Sequence, residues 1–326
     1  MIAEVALAHD GSLGAAHAYL DAAADAGADA VKFQTHIASE ESSAEEQFRV
    51  PVFPQDATRY AYWERTAFTE EQWLGLKQHA DARGVLFLSS PFSVAAVHLL
   101  RRIGTPAWKI GSGETNNALL LDACMAGNEP VLVSTGMSYW KEIDAVVGVL
   151  QARDIPVLLM QCTSRYPCPP DQLGLNLIPE YADRYGCPAG FSDHSGELAP
   201  AIAAATLGAK AIEVHVTWHR KSFGPDVKSS LTLEQFAELT RGVRQVEAAL
   251  AASVDKDGSS RSLEDMRQLF TKGLVAREPL RAGTQLEARH LDARKPCIGI
   301  PASRYKDVVG KTTTPDIEQG GWIRPE

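Results

Sequence analysis

Along most of the chain, short apolar runs alternate with stretches whose apolar residues recur at helical spacing. Residues 2–8 (Ile-Ala-Glu-Val-Ala-Leu-Ala) read as a buried strand carrying one carboxylate, Glu4, and Gly11 and Ser12 open an Ala-rich helix to about residue 26. Residues 28–34 read as a second strand with Lys32 inside it. Strand-like runs at 85–90, 107–113, 130–136, 155–163, 188–194 and 209–217 follow, interleaved with helical patterns at 70–83, 94–102, 119–126, 140–152, 198–207 and 233–251. Eight strands, each followed by a helix, predict an α/β chain folded as a (β/α)8 TIM barrel over residues 1–251, its right-handed crossovers closing one parallel sheet. Residues 36–69 break the rhythm, acidic at first, then aromatic (Tyr60, Tyr62, Trp63), with no clear period. A connection of that length is a lid or binding loop, or else a surface insertion.

The polar residues inside and at the ends of these strands carry the candidate chemistry. A charge within an apolar strand costs several kcal/mol unless it is paired or faces a polar cavity, so Glu4 and Lys32 are expected to point into a site. Ser89, Ser90, Lys109, Ser112, Glu114, Ser134, Thr135, Thr163, Asp193, His194, Glu213 and His215 fall at other C-terminal strand ends, where barrel active sites are assembled. A lone histidine there is more often a hydrogen-bonded or surface residue. His194 and His215, however, end consecutive strands of one βαβ unit and could share a divalent ion. Nitrogen and oxygen donors with water suit Mn²⁺, Mg²⁺, Fe²⁺ or Zn²⁺, and donor type does not choose among them. Lysines beside hydroxyls and the turns Gly111-Ser112-Gly113 and Ser134-Thr135-Gly136 suit a phosphate or carboxylate ligand, although Ser-x-Gly turns alone are usually only turns.

Composition narrows the class. At 326 residues, 45% hydrophobic and 22% charged, the chain can bury a barrel core and add a small appendage. A formal net charge of −9 argues against a nucleic-acid partner but not against a small anionic substrate. Five cysteines (Cys124, Cys162, Cys168, Cys187, Cys297) without framework spacing fit a reducing cytoplasm. The N-terminus lacks a basic leader pattern, and no apolar run is long enough to span a bilayer, so a cytoplasmic protein without a membrane partner is expected. Residues 252–271 are polar and Ser/Gly-bearing and read as a linker. Residues 272–326, short apolar pieces cut by Gly and Pro, read as a small β-rich module.

Ordered motifs over nearly the whole length resemble the sialic acid synthase family of N-acetylneuraminate, legionaminic and pseudaminic acid synthases. They are Ile-Ala-Glu at 2–4, His9-Asp10-Gly11, Val-Lys-Phe-Gln-Thr-His at 31–36, Ser90-Pro91-Phe92, Lys109 to Glu114, Ser134 to Met137, Gln161-Cys162-Thr163 with Tyr166-Pro167, Ser192-Asp193-His194 and Gly224-Pro225-Asp226. The tail, with Lys295-Pro296 and Gly299-Ile300, resembles the antifreeze-like (SAF) domain that ends these enzymes. The resemblance implies metal-dependent condensation of phosphoenolpyruvate with an open-chain N-acetylated hexosamine, N-acetylmannosamine or a 2,4-diacetamido-6-deoxy hexose, with C–O cleavage releasing phosphate. It implies His194 and His215 as ligands of a divalent ion, Mn²⁺ or else Mg²⁺. Lys32, Ser90, Lys109, Ser112 and Ser134 would hold phosphoenolpyruvate, Ser192 would be a further substrate contact, and Glu4 would activate water or relay a proton, ionised beside two lysines and a metal. Glu114, Ser164, Tyr166 and Asp226 would contact the sugar, and a domain-swapped homodimer would form in which the tail caps a partner's site.

Two departures bear on the substrate. Ala8 stands where the family usually has Asn, and Lys295 stands where several members place an arginine toward the acyl group; lysine lacks the planar guanidinium fork. They motivate an alternative, the same condensation on another aldose in polysaccharide or natural-product assembly. A different class, a non-catalytic sugar-binding protein on a decayed barrel, fits poorly because Glu4, both lysines and both histidines are present.

Overall fold

The computed structural model describes residues 1–50 and 56–324, in two compact units, Met1–Ala251 and Ala252–Glu326. In the first, eight strands, β1 Ile2–Ala6, β2 Ala30–Thr35, β3 Leu86–Pro91, β4 Trp108–Ile110, β5 Val131–Ser134, β6 Val157–Cys162, β7 Ala189–Asp193 and β8 Ile212–Thr217, pair in the order β3-β2-β1-β8-β7-β6-β5-β4. Every pairing among them is parallel. The ends of that order, β3 and β4, lie side by side, so the sheet rolls into a near-closed barrel.

The strand period of two decides what fills it. Ile2, Ala30, Leu88, Ala107, Leu132 and Ala211, drawn from or just before six strands, pack together as an apolar layer. Two residues further along the same strands stand Glu4, Lys32, Ser90, Lys109, Ser134 and Glu213, all buried. The register pairs Glu4 with Lys32 on one side and with His215 on the other, and it is staggered elsewhere, Lys32 standing opposite Leu88, Lys109 opposite Leu132 and Glu213 opposite Ile2. Intervening residues such as Ala3, Val31, Phe33, Phe87, Trp108, Ile110, Val133 and Val214 face outward into the main core, packing against Leu20, Leu76, Leu100, Leu120 and Leu150 of the surrounding helices.

Local signals set the helix ends. Thr69 and Gln72 form a capping box ahead of the helix Glu70–Arg83, and Gly84 closes it in the left-handed conformation. Gly11, at φ +78° after β1, has no room for a side chain, since a Cβ would lie 2.5 Å from the Arg65 carbonyl oxygen.

Three stretches differ from the sequence reading. The aperiodic segment contains helices at Ala38–Glu41 and Arg59–Thr66; the second is capped by Thr58 and buries Tyr62 and Trp63. The helix Leu177–Tyr185 is reached through irregular chain after β6, which obscures its period. Residues 252–271, expected as an irregular linker, carry the short helices Lys256–Ser262 and Glu264–Phe270, because the Asp255 carboxylate caps the first through the Asp257 and Gly258 amides.

In the second unit Gly273–Ala276 pairs antiparallel with Leu291–Arg294, and isolated bridges such as Val275 to Trp322 and Leu280 to Ile317 extend the β structure. Leu274, Ala276, Leu280, Leu286, Leu291, Val308 and Ile323 form its core. Among the described residues no helix is long and apolar enough to cross a membrane.

Candidate active site

Above the apolar layer lies a cavity of about 340 Å³, within the range of small-molecule sites. Glu4, Lys32, Ser90, Lys109, Ser112, Ser134, Ser164, Tyr166, Ser192, His194, His215 and Asp226 all line it. Ser89, Thr135, Thr163 and Asp193 are not in the lining; their side chains bond instead to Thr35, the Met160 and Gln172 carbonyl oxygens and Ser195. Glu114 does not contribute to the lining; half-buried, it accepts a hydrogen bond from Asn117 at 2.7 Å. Lys295 belongs to the second unit, its ammonium 5.0 Å from the centre of the Phe270 ring.

The floor is a buried ion network. Lys32 Nζ lies 2.8 Å from Glu4 Oε2 and 3.6 Å from Glu213 Oε1, while Lys109 Nζ lies 3.1 Å from the same Glu213 oxygen. Lys32 also donates to Ser90 at 3.2 Å, Ser192 donates to Glu213 at 3.2 Å, and the Gln34 amide donates to Glu4 at 3.0 Å. Glu213 thus takes two cations and Glu4 one, and the carboxylates diverge. Burial raises Glu213, but Lys109 and Lys32 outweigh it and hold the group at about 2. Burial raises Glu4 beyond what Lys32 restores, and the neighbouring Glu213 charge pushes it further, to about 7. With no cation on the imidazoles, Glu213 shares the lysine charge and burial leaves Glu4 able to hold a proton near neutrality; the sequence expectation of an ionised Glu4 includes a metal beside it. Ser134 Oγ and Glu213 Oε2 have no hydrogen-bond partner among the described residues.

The imidazoles stand beside this floor with ring centres 5.4 Å apart. His194 Nδ1 lies 2.9 Å from the Thr163 carbonyl oxygen, which assigns the proton to Nδ1 and leaves Nε2 free. Burial lowers His194, yet the Cys162 sulfur, 3.7 Å from Nδ1, outweighs it and holds the group at about 9; a cation on Nε2 would displace that proton. Burial lowers His215 to about 4, so its ring is neutral and ready to ligate. Among the described residues no three His, Cys, Asp or Glu side chains cluster as a metal site. The two imidazoles are the residues that could hold a cation here, and water and substrate oxygens would have to complete its shell.

The mouth depends on residues that the sequence pattern did not single out. Arg49 lies over the Tyr166 ring at 4.0 Å and pairs with Asp226 at 2.6 Å; Tyr166 in turn stacks on His194 at 4.1 Å. Phe48, Tyr62, Trp63, Phe92 and Phe223 add an aromatic rim. Glu213 was already among the strand-end candidates, and Gln34 had a signal, lying two residues beyond Lys32 on the same strand. Arg49 had none, lying in aperiodic chain.

A parallel barrel whose strand ends gather lysines, carboxylates and paired imidazoles around one cavity has the architecture of a barrel enzyme. The chain belongs to the NeuB family of sialic, legionaminic and pseudaminic acid synthases: residues 19–255 match the NeuB family model, and residues 271–326 match the SAF domain. It is 30% identical to the N,N'-diacetyllegionaminic acid synthase of Campylobacter jejuni, over 99% of this chain and 98% of that protein. It is 29% identical to human N-acetylneuraminate-9-phosphate synthase, over 100% of this chain and 91% of that protein. The N-acetylneuraminic acid synthetase of Leptospira borgpetersenii, solved with citrate, superposes with a TM-score of 0.71 at 29% identity, covering 82% of this chain and 90% of that one.

Proposed function

We propose that this enzyme condenses phosphoenolpyruvate with the open-chain form of an N-acetylated hexosamine to give a nonulosonic acid and phosphate. The observation that carries the reading is the floor of the cavity, where two buried lysines, tied to Glu4 and Glu213, face the paired imidazoles. Lys32 and Lys109 supply charge to the phosphate and carboxylate of phosphoenolpyruvate, and the free Ser134 hydroxyl, with Ser90, Ser112 and Ser192, supplies short donors.

In the reaction, C3 of phosphoenolpyruvate bonds to the sugar aldehyde carbon, water adds at C2, and the C2–O bond to phosphate breaks as the ketone forms. The attacking water loses both of its protons: one is needed at the aldehyde oxygen, and the second leaves with the phosphate as the C2 hydroxyl becomes the ketone, so a single group can pass the first from water to the aldehyde oxygen. Glu4 has the acidity and the position for it. A divalent cation on His194 and His215, Mn²⁺ by expectation, would supply Lewis-acid polarisation of the aldehyde oxygen. Tyr166 and Asp226, held by Arg49, contact the sugar. The aromatic rim favours acyl and deoxy substituents over a bare polyol, which suits N-acetylmannosamine or a 2,4-diacetamido-6-deoxy hexose. We further propose a homodimer in which the SAF domain of one subunit, bearing Lys295, closes the site of the other. The exposed row Leu263, Met266, Leu269 and Phe270 is the apolar surface such an assembly would cover.

The test is phosphate release from phosphoenolpyruvate with Mn²⁺ across a panel of N-acetylated and diacetamido hexoses. Release with one of them that His215→Ala abolishes supports the reading, and silence with every sugar refutes it. Mixing His215→Ala and Lys295→Ala subunits checks the shared site, because activity recovered in the mixture requires one intact site per pair.

A further inference from the structure

Just past the inward face of β2, Gln34 and His36 continue the ion network toward the mouth. The Gln34 amide nitrogen donates to Glu4 Oε1 at 3.0 Å, so its oxygen faces the other way, toward His36 Nε2 at 3.2 Å. An amide oxygen can only accept, so Nε2 must donate. The other ring nitrogen, Nδ1, meets the Glu41 carboxylate, which is also fixed by the Ile37 backbone N–H at 3.2 Å. The ring plane is set just as firmly. His36 lies flat between Trp63, at 3.7 Å and 13°, and Phe92, at 4.3 Å and 15°. Trp63 belongs to the helix Arg59–Thr66 and is anchored by its own N–H to Glu46 at 2.9 Å. Besides Glu41, ionisable groups within electrostatic reach of the ring among the described residues include Glu114 and His9.

We propose that His36 is a positioning residue for Glu4, which it controls by locking the Gln34 amide with its N–H₂ toward the carboxylate. A side-chain amide is nearly symmetric in shape and can turn over. Turned, Gln34 would present its oxygen to Glu4, disfavouring the ionised carboxylate and holding it protonated, so that it is no longer free to take the proton from water. The His36 N–H on the Gln34 oxygen forbids that orientation, and the Trp63–Phe92 clamp with Glu41 keeps the N–H aimed. The chain from His36 to Arg49 and the helix Arg59–Thr66 then serve two ends, rimming the cavity and holding the amide that orients Glu4. The proposal rests on the reading of Glu4 as the proton-passing group.

The test compares His36→Phe, which keeps a flat ring in the clamp but has no donor, with His36→Gln, which retains an N–H able to reach Gln34. In the phosphate-release assay His36→Phe should lower kcat about 10-fold or more, with the KM for phosphoenolpyruvate within about twofold, and His36→Gln should recover most of it. In a Gln34→Met background, adding His36→Phe should change kcat by less than about twofold, since the amide it orients is gone. Wild-type kcat in His36→Phe overturns the proposal. So does a full loss that His36→Gln fails to relieve, or one that persists undiminished in the Gln34→Met background, because either marks a merely structural ring. If the wild type itself releases no phosphate, the functional reading fails and the role of His36 falls with it; if the wild type turns over and His36→Phe matches it, only the role of His36 fails.

Discussion

Glu213→Gln tests the ion network most directly. The carboxylate is buried, with Lys109 at 3.1 Å and Lys32 at 3.6 Å. At an effective dielectric of about 20, those separations give roughly 5 kcal/mol of attraction for each pair. The penalty of desolvating the ions, several kcal/mol each, cancels much of that, and removing one partner of a buried pair leaves a net loss of about 3–5 kcal/mol. Urea denaturation of the variant should show a destabilisation of that order. A second effect follows from the same geometry. Glu213 raises Glu4 and shares Lys32 with it, so its neutralisation should move the Glu4 ionisation down from about 7 and shift the acidic limb of the pH–rate profile to lower pH. The site also gains net positive charge, so phosphoenolpyruvate should bind more tightly even as the protein weakens. An unchanged acidic limb together with unchanged stability would mean that Glu213 and Glu4 do not share the lysines, and the assignment of Glu4 as the proton carrier would lose its basis.

Three further outcomes are expected. Gly136→Ala places a Cβ 2.6 Å from Ser164 Oγ, 2.8 Å from Ser112 Oγ and 2.9 Å from Cys162 Sγ, and these short side chains have little room to retreat; kcat should fall at least about 10-fold with the fold retained by circular dichroism. Arg49→Ala removes the cover over Tyr166 and the partner of Asp226, so the sugar KM should rise several-fold while that for phosphoenolpyruvate stays level in two-substrate kinetics. His9 is buried, stacks on Phe68 at 4.6 Å and accepts from the Gly11 N–H; burial, aided by His36, lowers it from 6.5 to about 4. The folded state therefore keeps His9 neutral where the unfolded chain would charge it. Its contribution is full above 6.5 and is lost as pH falls toward about 4, a change of roughly 3 kcal/mol. Urea midpoints taken from pH 7 to 4.5 should fall less in His9→Asn, which keeps an acceptor for Gly11 but carries no titrating ring.

Much of this architecture is legible in the order of residues alone, because strand and helix periods are local properties. The alternation of apolar runs predicts the eight-stranded barrel, and the period of two within each strand identifies which residues face inward. Glu4, Lys32 and Lys109 therefore stand out as charges embedded in otherwise apolar runs, and His194 and His215 as the ends of consecutive strands. Other features depend on closure. β1 and β8 lie at opposite ends of the barrel sequence, and only their pairing brings Glu4 beside Glu213 and makes the two carboxylates share Lys32. That sharing sets where Glu4 ionises when no metal is bound, since the charge state of a buried group depends on every ion around it and no sequence pattern counts them. Arg49 was hidden, and so was the stacking of His36 between Trp63 and Phe92, although those three residues stand in motifs or in the aromatic stretch, because aperiodic chain takes its course from the contacts it finds. The sequence by itself determined the barrel and the polar layer on its floor; the tertiary structure decided which charges meet, which carboxylate keeps a proton and what covers the mouth, because those depend on distances fixed only when the ring of strands closes.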